Sequence, residues 1–141
     1  MRFWDASAVL PLCVEEPRSP QVMRLAQEDG DIVVWWATQV ECYSALARWR
    51  REGALAVDQE TQVRSLLDAL AREWTEVLPG EEVRRGAIDL LRSYSLRAGD
   101  ALQLSAARLW AGGQPAGQAF VCLDGRLREA ALRDGFTVLP R

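Results

Sequence analysis

Short apolar runs alternate with longer stretches of helical periodicity, and the two patterns together predict the elements of the fold. The most apolar run, residues 32–36 (IVVWW), has the length and the β-branched and aromatic content of a buried central strand. Its adjacent Trp35 and Trp36 must face opposite sides of the sheet, and one of them could contact a partner subunit. Four more strands are predicted, at residues 2–4, 75–78, 119–123 and 137–139.

Helical patterns separate these strands. A helical turn is predicted over 6–12, and longer helices are predicted over 19–29, 38–52, 58–70, 82–94, 101–110 and 126–134. Ser19 is expected to be an N-cap with Pro20 at the first helical position. Alternating strands and helices indicate an α/β fold with a mostly parallel central sheet and helices on both faces. The length of 141 residues suits a single domain, 1–141.

The absence of histidine and lysine narrows the chemistry. All 17 basic residues are arginine. Without histidine there is no Ser-His-Asp system, no histidine acid–base pair and no histidine ligand for zinc, copper or iron. Without lysine there is no Walker phosphate loop and no Schiff base. An enzyme built from this chain would have to rely on carboxylates, which suit Mg²⁺ or Mn²⁺.

Export and disulfide formation are not expected. No apolar run approaches the ~20 residues that span a bilayer, and Asp5 interrupts the N-terminus where a signal peptide would be apolar. A cytoplasmic protein is the prediction. The odd number of cysteines and their spacing indicate buried free thiols at Cys13, Cys42 and Cys122.

Four acidic residues from distant segments are predicted to meet at one edge of the sheet. Asp5 and Asp124 each follow a strand directly, whereas Glu41 and Asp100 lie at the start of helices that begin at the same carboxyl edge. Carboxylates a few ångströms apart repel one another, and a divalent cation would remove that repulsion. Helix N-termini add positive potential at this edge. The combination suits hydrolysis of a phosphodiester.

Each acid also has a structural interpretation. Residues 38–41 (TQVE) form a capping-box sequence in which Glu41 would fold back to the helix N-terminus. Asp100 could interact only with the helix dipole, and Asp124-Gly125 could be an ordinary turn or N-cap. Asp5 lies between apolar segments, so it is expected to be buried and to need a partner.

Substrate contacts are harder to assign. The net charge of −3 does not suggest a protein coated for nucleic acid. Arg126 and Arg128 follow Asp124 closely and are candidates for contact with a substrate phosphate, with Arg126 the better of the two. The tryptophans are interpreted as core or interface residues.

Four motifs together resemble those of PIN domains. They are residues 3–10 (FWDASAVL), 40–46 (VECYSAL), 96–104 (LRAGDALQL) and 120–127 (FVCLDGRL). Their order and spacing agree with that family over essentially the whole chain. Within it, the length resembles that of virulence-associated C (VapC) toxins of type II toxin–antitoxin systems.

The resemblance implies a three-layer α/β/α sandwich and a Mg²⁺- or Mn²⁺-dependent endoribonuclease. It also implies a homodimer and an antitoxin partner encoded beside the toxin. Asp5, Glu41, Asp100 and Asp124 would be the catalytic metal ligands, with Ser7 supporting them by hydrogen bonding. Three features depart from the family pattern: Cys122 replaces a common hydroxyl residue, Gly99 a typical alanine, and Trp35-Trp36 small residues.

Two other function classes are alternatives for this chain. Phospho-aspartate enzymes, such as receivers and dehalogenase-type phosphatases, also place an aspartate after a strand. They normally need a lysine, which this chain lacks, and the dehalogenase type needs an acid where Ser7 stands. A non-catalytic binding module with the PIN fold is the second alternative, and the presence of all four acids argues against it.

Overall fold

A computed structural model describes all residues, 1–141, as alternating strands and helices around one sheet. The strands are β1 (Arg2–Trp4), β2 (Ile32–Trp35), β3 (Thr75–Val77), β4 (Ala119–Val121) and β5 (Thr137–Leu139). The helices are α1 (Ala6–Val9), α2 (Ser19–Glu28), α3 (Thr38–Arg51), α4 (Val57–Glu73), α5 (Glu81–Ser93), α6 (Ala98–Trp110) and α7 (Gly125–Asp134), with a short 3₁₀ helix at Leu10–Leu12.

The sheet is entirely parallel, in the order β3-β2-β1-β4-β5. The predicted three-layer α/β/α architecture is confirmed. Because adjacent strand residues face opposite sides, Phe3 and Trp4 belong to two separate cores. Trp4 packs with Val22, Leu46 and Leu67 from the helices of the first half of the chain. Phe3 packs with residues of α5, α6 and α7 on the other face.

Most predicted elements are present, with bounds that differ by a few residues. Strand β2 ends at Trp35, which is buried, whereas Trp36 is 50% exposed. Helix α6 begins three residues earlier than predicted, at Ala98. Ser19 is the first residue of α2 rather than its N-cap, because its hydroxyl is bonded to the preceding loop, at the Val14 carbonyl and the Glu16 amide.

The remaining expectations about the chain concern thiols and membranes. All three cysteines are free and buried, as predicted. None of the helices combines the length and the apolar character needed to cross a bilayer.

Candidate active site

The topology brings Asp5 and Asp124 to the same edge of the sheet. Strands β1 and β4 are parallel neighbours in which Trp4 pairs with Val121. The amide of Asp5 continues this pairing by donating to the carbonyl of Val121 at 2.9 Å. Asp124 follows shortly after β4 ends, so the shared edge that was predicted for these two acids is confirmed.

Ser7 connects these two acids. Oδ2 of Asp5 accepts hydrogen bonds from the amide and the hydroxyl of Ser7 at 3.0 and 2.5 Å. The same hydroxyl oxygen accepts from the amides of Leu123 and Asp124 at 2.9 and 3.3 Å. This one side chain therefore ties the start of α1 to the loop after β4.

Asp5 and Asp124 are also helix N-caps, and each keeps one oxygen free. Asp5 caps α1 through Oδ2, and Asp124 caps α7 by accepting from the amide of Leu127 at 3.0 Å through Oδ1. No hydrogen bond is found to Oδ1 of Asp5 or to Oδ2 of Asp124. The structural interpretation of Asp124 is thus correct, but it leaves an oxygen available for a ligand.

The capping-box interpretation of Glu41 is wrong. The N-cap of α3 is Ala37, and no side chain caps this helix. Thr38 and Glu41 instead both accept hydrogen bonds from Nε2 of Gln103, at 3.0 and 3.2 Å. The reason is that buried Gln103 of α6 reaches the first turn of α3, where its amide forms hydrogen bonds with both side chains.

Asp100 joins the other acids from the first turn of α6. All four carboxylates line a single cavity of about 360 Å³. Its remaining wall is formed by Ala6, Ser7, Leu10, Glu16, Ala45, Arg48 and Trp49. Neither Trp35 nor Trp36 reaches this cavity, so the departure from the family pattern at these positions does not shape it.

Burial and mutual repulsion make three of the acids harder to ionise. Asp5 is only 4% exposed, and its burial raises its pKa, to which the neighbouring charges of Asp100 and Asp124 add. Burial, with repulsion from Asp5 and Asp100, raises the pKa of Glu41 to about 7. Burial and then Asp124 raise the pKa of Asp100, although Arg97 and Arg126 oppose the change.

The donors suit a hard cation. None of the four acids forms a salt bridge, although the chain forms nine elsewhere. The four carboxylates at the cavity are therefore not paired with an arginine. They offer only oxygen atoms as ligands, which Mg²⁺ and Mn²⁺ accept. No three acidic or cysteine side chains stand close enough together to enclose an ion. Mg²⁺ commonly uses one or two carboxylates and keeps several waters, so the donor set fits.

Two departures from the family pattern are accommodated. The Cys122 thiol lies 3.7 Å from Oδ2 of Asp5 and from the Ser7 hydroxyl, so a weak donor occupies the place of a hydroxyl. A Cβ at Gly99 would lie 4.0 Å from Oε1 of Glu41, which is an ordinary contact. Alanine would therefore fit at Gly99 as well.

The two candidate arginines differ sharply. Arg126 is exposed and lines a second cavity, of about 590 Å³, together with Arg97, Asp100 and Asp124. Arg128 instead donates to the carbonyls of Cys122, Leu139 and Pro140, at 2.6, 3.3 and 2.7 Å. Its guanidinium holds the ends of β4 and β5 together, so we do not retain Arg128 as a substrate contact.

Sequence reasoning missed Gln103 and Arg97. Gln103 could have been noticed as the one amide in an apolar stretch, 101–107 (ALQLSAA), three residues after Asp100 and so on the same helix face. Arg97 lies within the third motif, but nothing in its local sequence distinguishes it from the other exposed arginines.

The family follows from a comparison with family models, in which the PIN domain model matches residues 2–131. The chain belongs to the PIN domain family. A search of curated proteins finds no match.

Solved structures share the fold of this PIN domain at low sequence identity. FitAcB from Neisseria gonorrhoeae superposes with a TM-score of 0.69 at 14% identity, covering 99% of this chain and 97% of that one. VapC20 from Mycobacterium tuberculosis, a sarcin–ricin loop cleaving toxin, gives 0.64 at 18% identity, with 92% and 95% covered. A toxin–antitoxin complex from Klebsiella pneumoniae gives 0.60 at 13% identity, with 88% and 87% covered.

Proposed function

We propose that this PIN domain is a divalent-metal-dependent endoribonuclease that acts as the toxin of a toxin–antitoxin pair. The observation that carries the proposal is the single cavity lined by Asp5, Glu41, Asp100 and Asp124, none of which is paired with an arginine. Four acids from four elements meet there at an energetic cost that a doubly charged ion would remove.

The four acids share one task in this proposal. Asp5, Glu41, Asp100 and Asp124 would hold Mg²⁺ or Mn²⁺, one or two of them directly and the others through waters that the ion keeps. The bound ion would supply an activated water and stabilise charge that develops on the phosphate. Ser7 keeps Oδ2 of Asp5 fixed and leaves Oδ1 to face a ligand. Glu16 lines the same cavity but belongs to no family motif, so we give it no role.

Arg126 and Arg97 would contact the RNA backbone. They lie beside Asp100 and Asp124 in the second cavity, so a phosphate they hold would adjoin the carboxylates. Arginine guanidinium groups suit phosphate because they donate in pairs. With a net charge of −3, the rest of the surface contributes little attraction, and RNA binding should weaken with salt along a shallow slope.

The proposal includes two protein partners, an antitoxin and a second copy of the chain. The similarity to a toxin–antitoxin complex supports an antitoxin that neutralises this chain. The half-exposed Trp36 and the exposed Val40 and Leu78 would be covered in a homodimer. Location in the cytoplasm stays a prediction from the sequence.

The test is RNA cleavage by purified protein. Wild-type chain should cut RNA with Mg²⁺ or Mn²⁺, and chelator should abolish the cut. Asp5→Asn should lose activity, whereas Asp58→Asn, at an exposed aspartate on α4, should keep it. The substrates should include transfer RNA, messenger RNA, ribosomal RNA and a sarcin–ricin loop oligonucleotide, since a structural neighbour cleaves that loop.

Intact RNA with every substrate would favour the non-catalytic binding module. Cleavage that Asp5→Asn retains would place the active site elsewhere. Expression without a partner gives a second readout, because growth arrest should require Asp5.

A further inference from the structure

Gln103 is a buried polar residue that packing alone does not explain. Only five polar or charged residues are buried: Asp5, Ser19, Thr38, Gln103 and Ser105. The two serines satisfy backbone groups, as when Ser105 donates to the carbonyl of Val83 at 2.7 Å. Gln103 satisfies no backbone group. Its hydrogen bonds all run to side chains of the first turn of α3.

The amide nitrogen of Gln103 bridges two residues on one face of α3. Thr38 and Glu41 are three positions apart, which places them on the same side of the helix. Nε2 of Gln103 donates to Oγ1 of Thr38 at 3.0 Å and to Oε2 of Glu41 at 3.2 Å. Both protons of the amide are thereby used, and the Thr38 contact fixes the amide that holds Glu41.

The other half of the amide is left without a partner. Oε1 of Gln103 is buried and accepts no hydrogen bond. An unpaired buried acceptor is destabilising, and an apolar side chain of similar size would avoid the penalty. Stability therefore does not favour glutamine here, whereas its contact with a carboxylate of the candidate active site does.

We propose that Gln103 is a positioning residue, which holds the carboxylate of Glu41 in the orientation that binds the shared cation. The inference rests on the proposed function. A glutamate side chain has several rotatable bonds, and a fixed donor removes the alternatives before the ion arrives. Oε1 of Glu41 receives no hydrogen bond, so the amide holds one oxygen and leaves the other free.

The test is Mn²⁺ affinity, followed by the paramagnetic resonance signal of the free ion. Gln103→Met keeps the length of the side chain but removes the donor. We expect it to weaken Mn²⁺ binding by about 10-fold, which is typical for loss of a group that orients a metal ligand. The unfolding temperature of the metal-free protein should fall no further than in Ser105→Ala, because methionine leaves Oγ1 of Thr38 without its donor but also removes the unpaired Oε1.

A double-mutant cycle isolates the action through Glu41. In a Glu41→Gln background, Gln103→Met should have no further effect on Mn²⁺ affinity. Ser105→Ala is the matched control, because it removes a buried polar group from the same helix. It should lower the unfolding temperature and leave Mn²⁺ affinity unchanged.

The outcomes separate this inference from the proposed function. Unchanged Mn²⁺ affinity in Gln103→Met, or an equal loss in both backgrounds, would overturn the positioning role alone. A wild-type chain that takes up no Mn²⁺ would overturn both. If Gln103→Met does not fold, Thr38→Val can replace it, because this variant removes the acceptor that fixes the Gln103 amide. Thr38→Val should weaken Mn²⁺ binding by less than about 10-fold, and it should have no effect in the Glu41→Gln background.

Discussion

Replacing Glu41 by glutamine should stabilise the metal-free protein at pH 8 but not at pH 5. The pKa of Glu41 is raised from 4.5 to about 7, first by burial and then by the charges of Asp5 and Asp100. The folded state therefore binds more protons than the unfolded state between these values, and its stability falls as the pH rises through this range.

The size of the effect follows from the same pKa. A pKa difference of one between the folded and unfolded states corresponds to about 1.4 kcal/mol. Ionisation of Glu41 would therefore lower the free energy of unfolding by roughly 3 kcal/mol at most. Partial exposure of the side chain to solvent reduces this to about 1–2 kcal/mol. For a domain of this size, that is a rise of about 3–8 °C in unfolding temperature for Glu41→Gln at pH 8.

The assay is thermal unfolding with chelator present, at pH 5 and pH 8, for wild type, Glu41→Gln and the exposed control Asp58→Asn. At pH 5 wild-type Glu41 is protonated, so the first two proteins should unfold at nearly the same temperature. The control lies in the first turn of α4, so loss of its charge should lower the unfolding temperature only slightly and equally at both pH values. A stabilisation of Glu41→Gln that is equal at pH 5 and pH 8, or absent at both, would refute the argument that burial and neighbouring charges oppose ionisation of Glu41.

Three further changes test other parts of the structure. Ser7→Ala should lower stability by about 2–3 kcal/mol in chemical unfolding, because the Leu123 and Asp124 amides lose their shared acceptor; an unchanged midpoint would contradict that network, and Ser44→Ala at an exposed site is its control. Arg126→Ala should weaken RNA binding and lower its salt slope by about 1 without affecting stability. Arg128→Ala should instead lower the unfolding temperature, because three carbonyls lose their donor. The reverse pattern would contradict the roles given to these two arginines. All three native thiols should resist alkylation at pH 8 until the chain unfolds, since burial raises the pKa of Cys13 to about 11 and those of Cys42 and Cys122 further; rapid labelling of any of them would contradict the packing.

The fold was predictable because its signals are periodic. A continuous apolar run predicted the buried strand β2, which lies beside the central strand β1. The alternation of strands with helices predicted a parallel sheet between two helical layers. The errors lie at element ends, where hydrogen bonds from distant residues decide the boundary. Trp36 leaves the strand, for example, although its amide still donates to the carbonyl of Val77 at 3.0 Å.

The positions of the four acids were predictable for a topological reason. Any residue that follows a parallel strand, or begins a helix that returns to one, lies at the carboxyl edge. The strand order was not needed for that conclusion. It was needed to establish that β1 and β4 are neighbours, which brings Asp5 close to the loop that carries Asp124.

The contacts of these acids could not be predicted from local sequence. Glu41 lies in a capping-box sequence, but its carboxylate accepts a hydrogen bond from Gln103, 62 positions away. The sequence favoured Arg126 but kept Arg128 as a candidate, and the closeness of the Leu139 and Pro140 carbonyls to Arg128 separates their roles. Such choices depend on tertiary partners, which spacing along the chain does not reveal.

The central proposal is that a divalent cation binds among the four carboxylates, and a crystal grown with Mn²⁺ tests it most directly. Anomalous difference density should show the ion in the cavity lined by Asp5, Glu41, Asp100 and Asp124, and the peak should vanish in crystals of Asp5→Asn. A cavity without density at saturating Mn²⁺, or an ion bound only at another surface, would contradict the account.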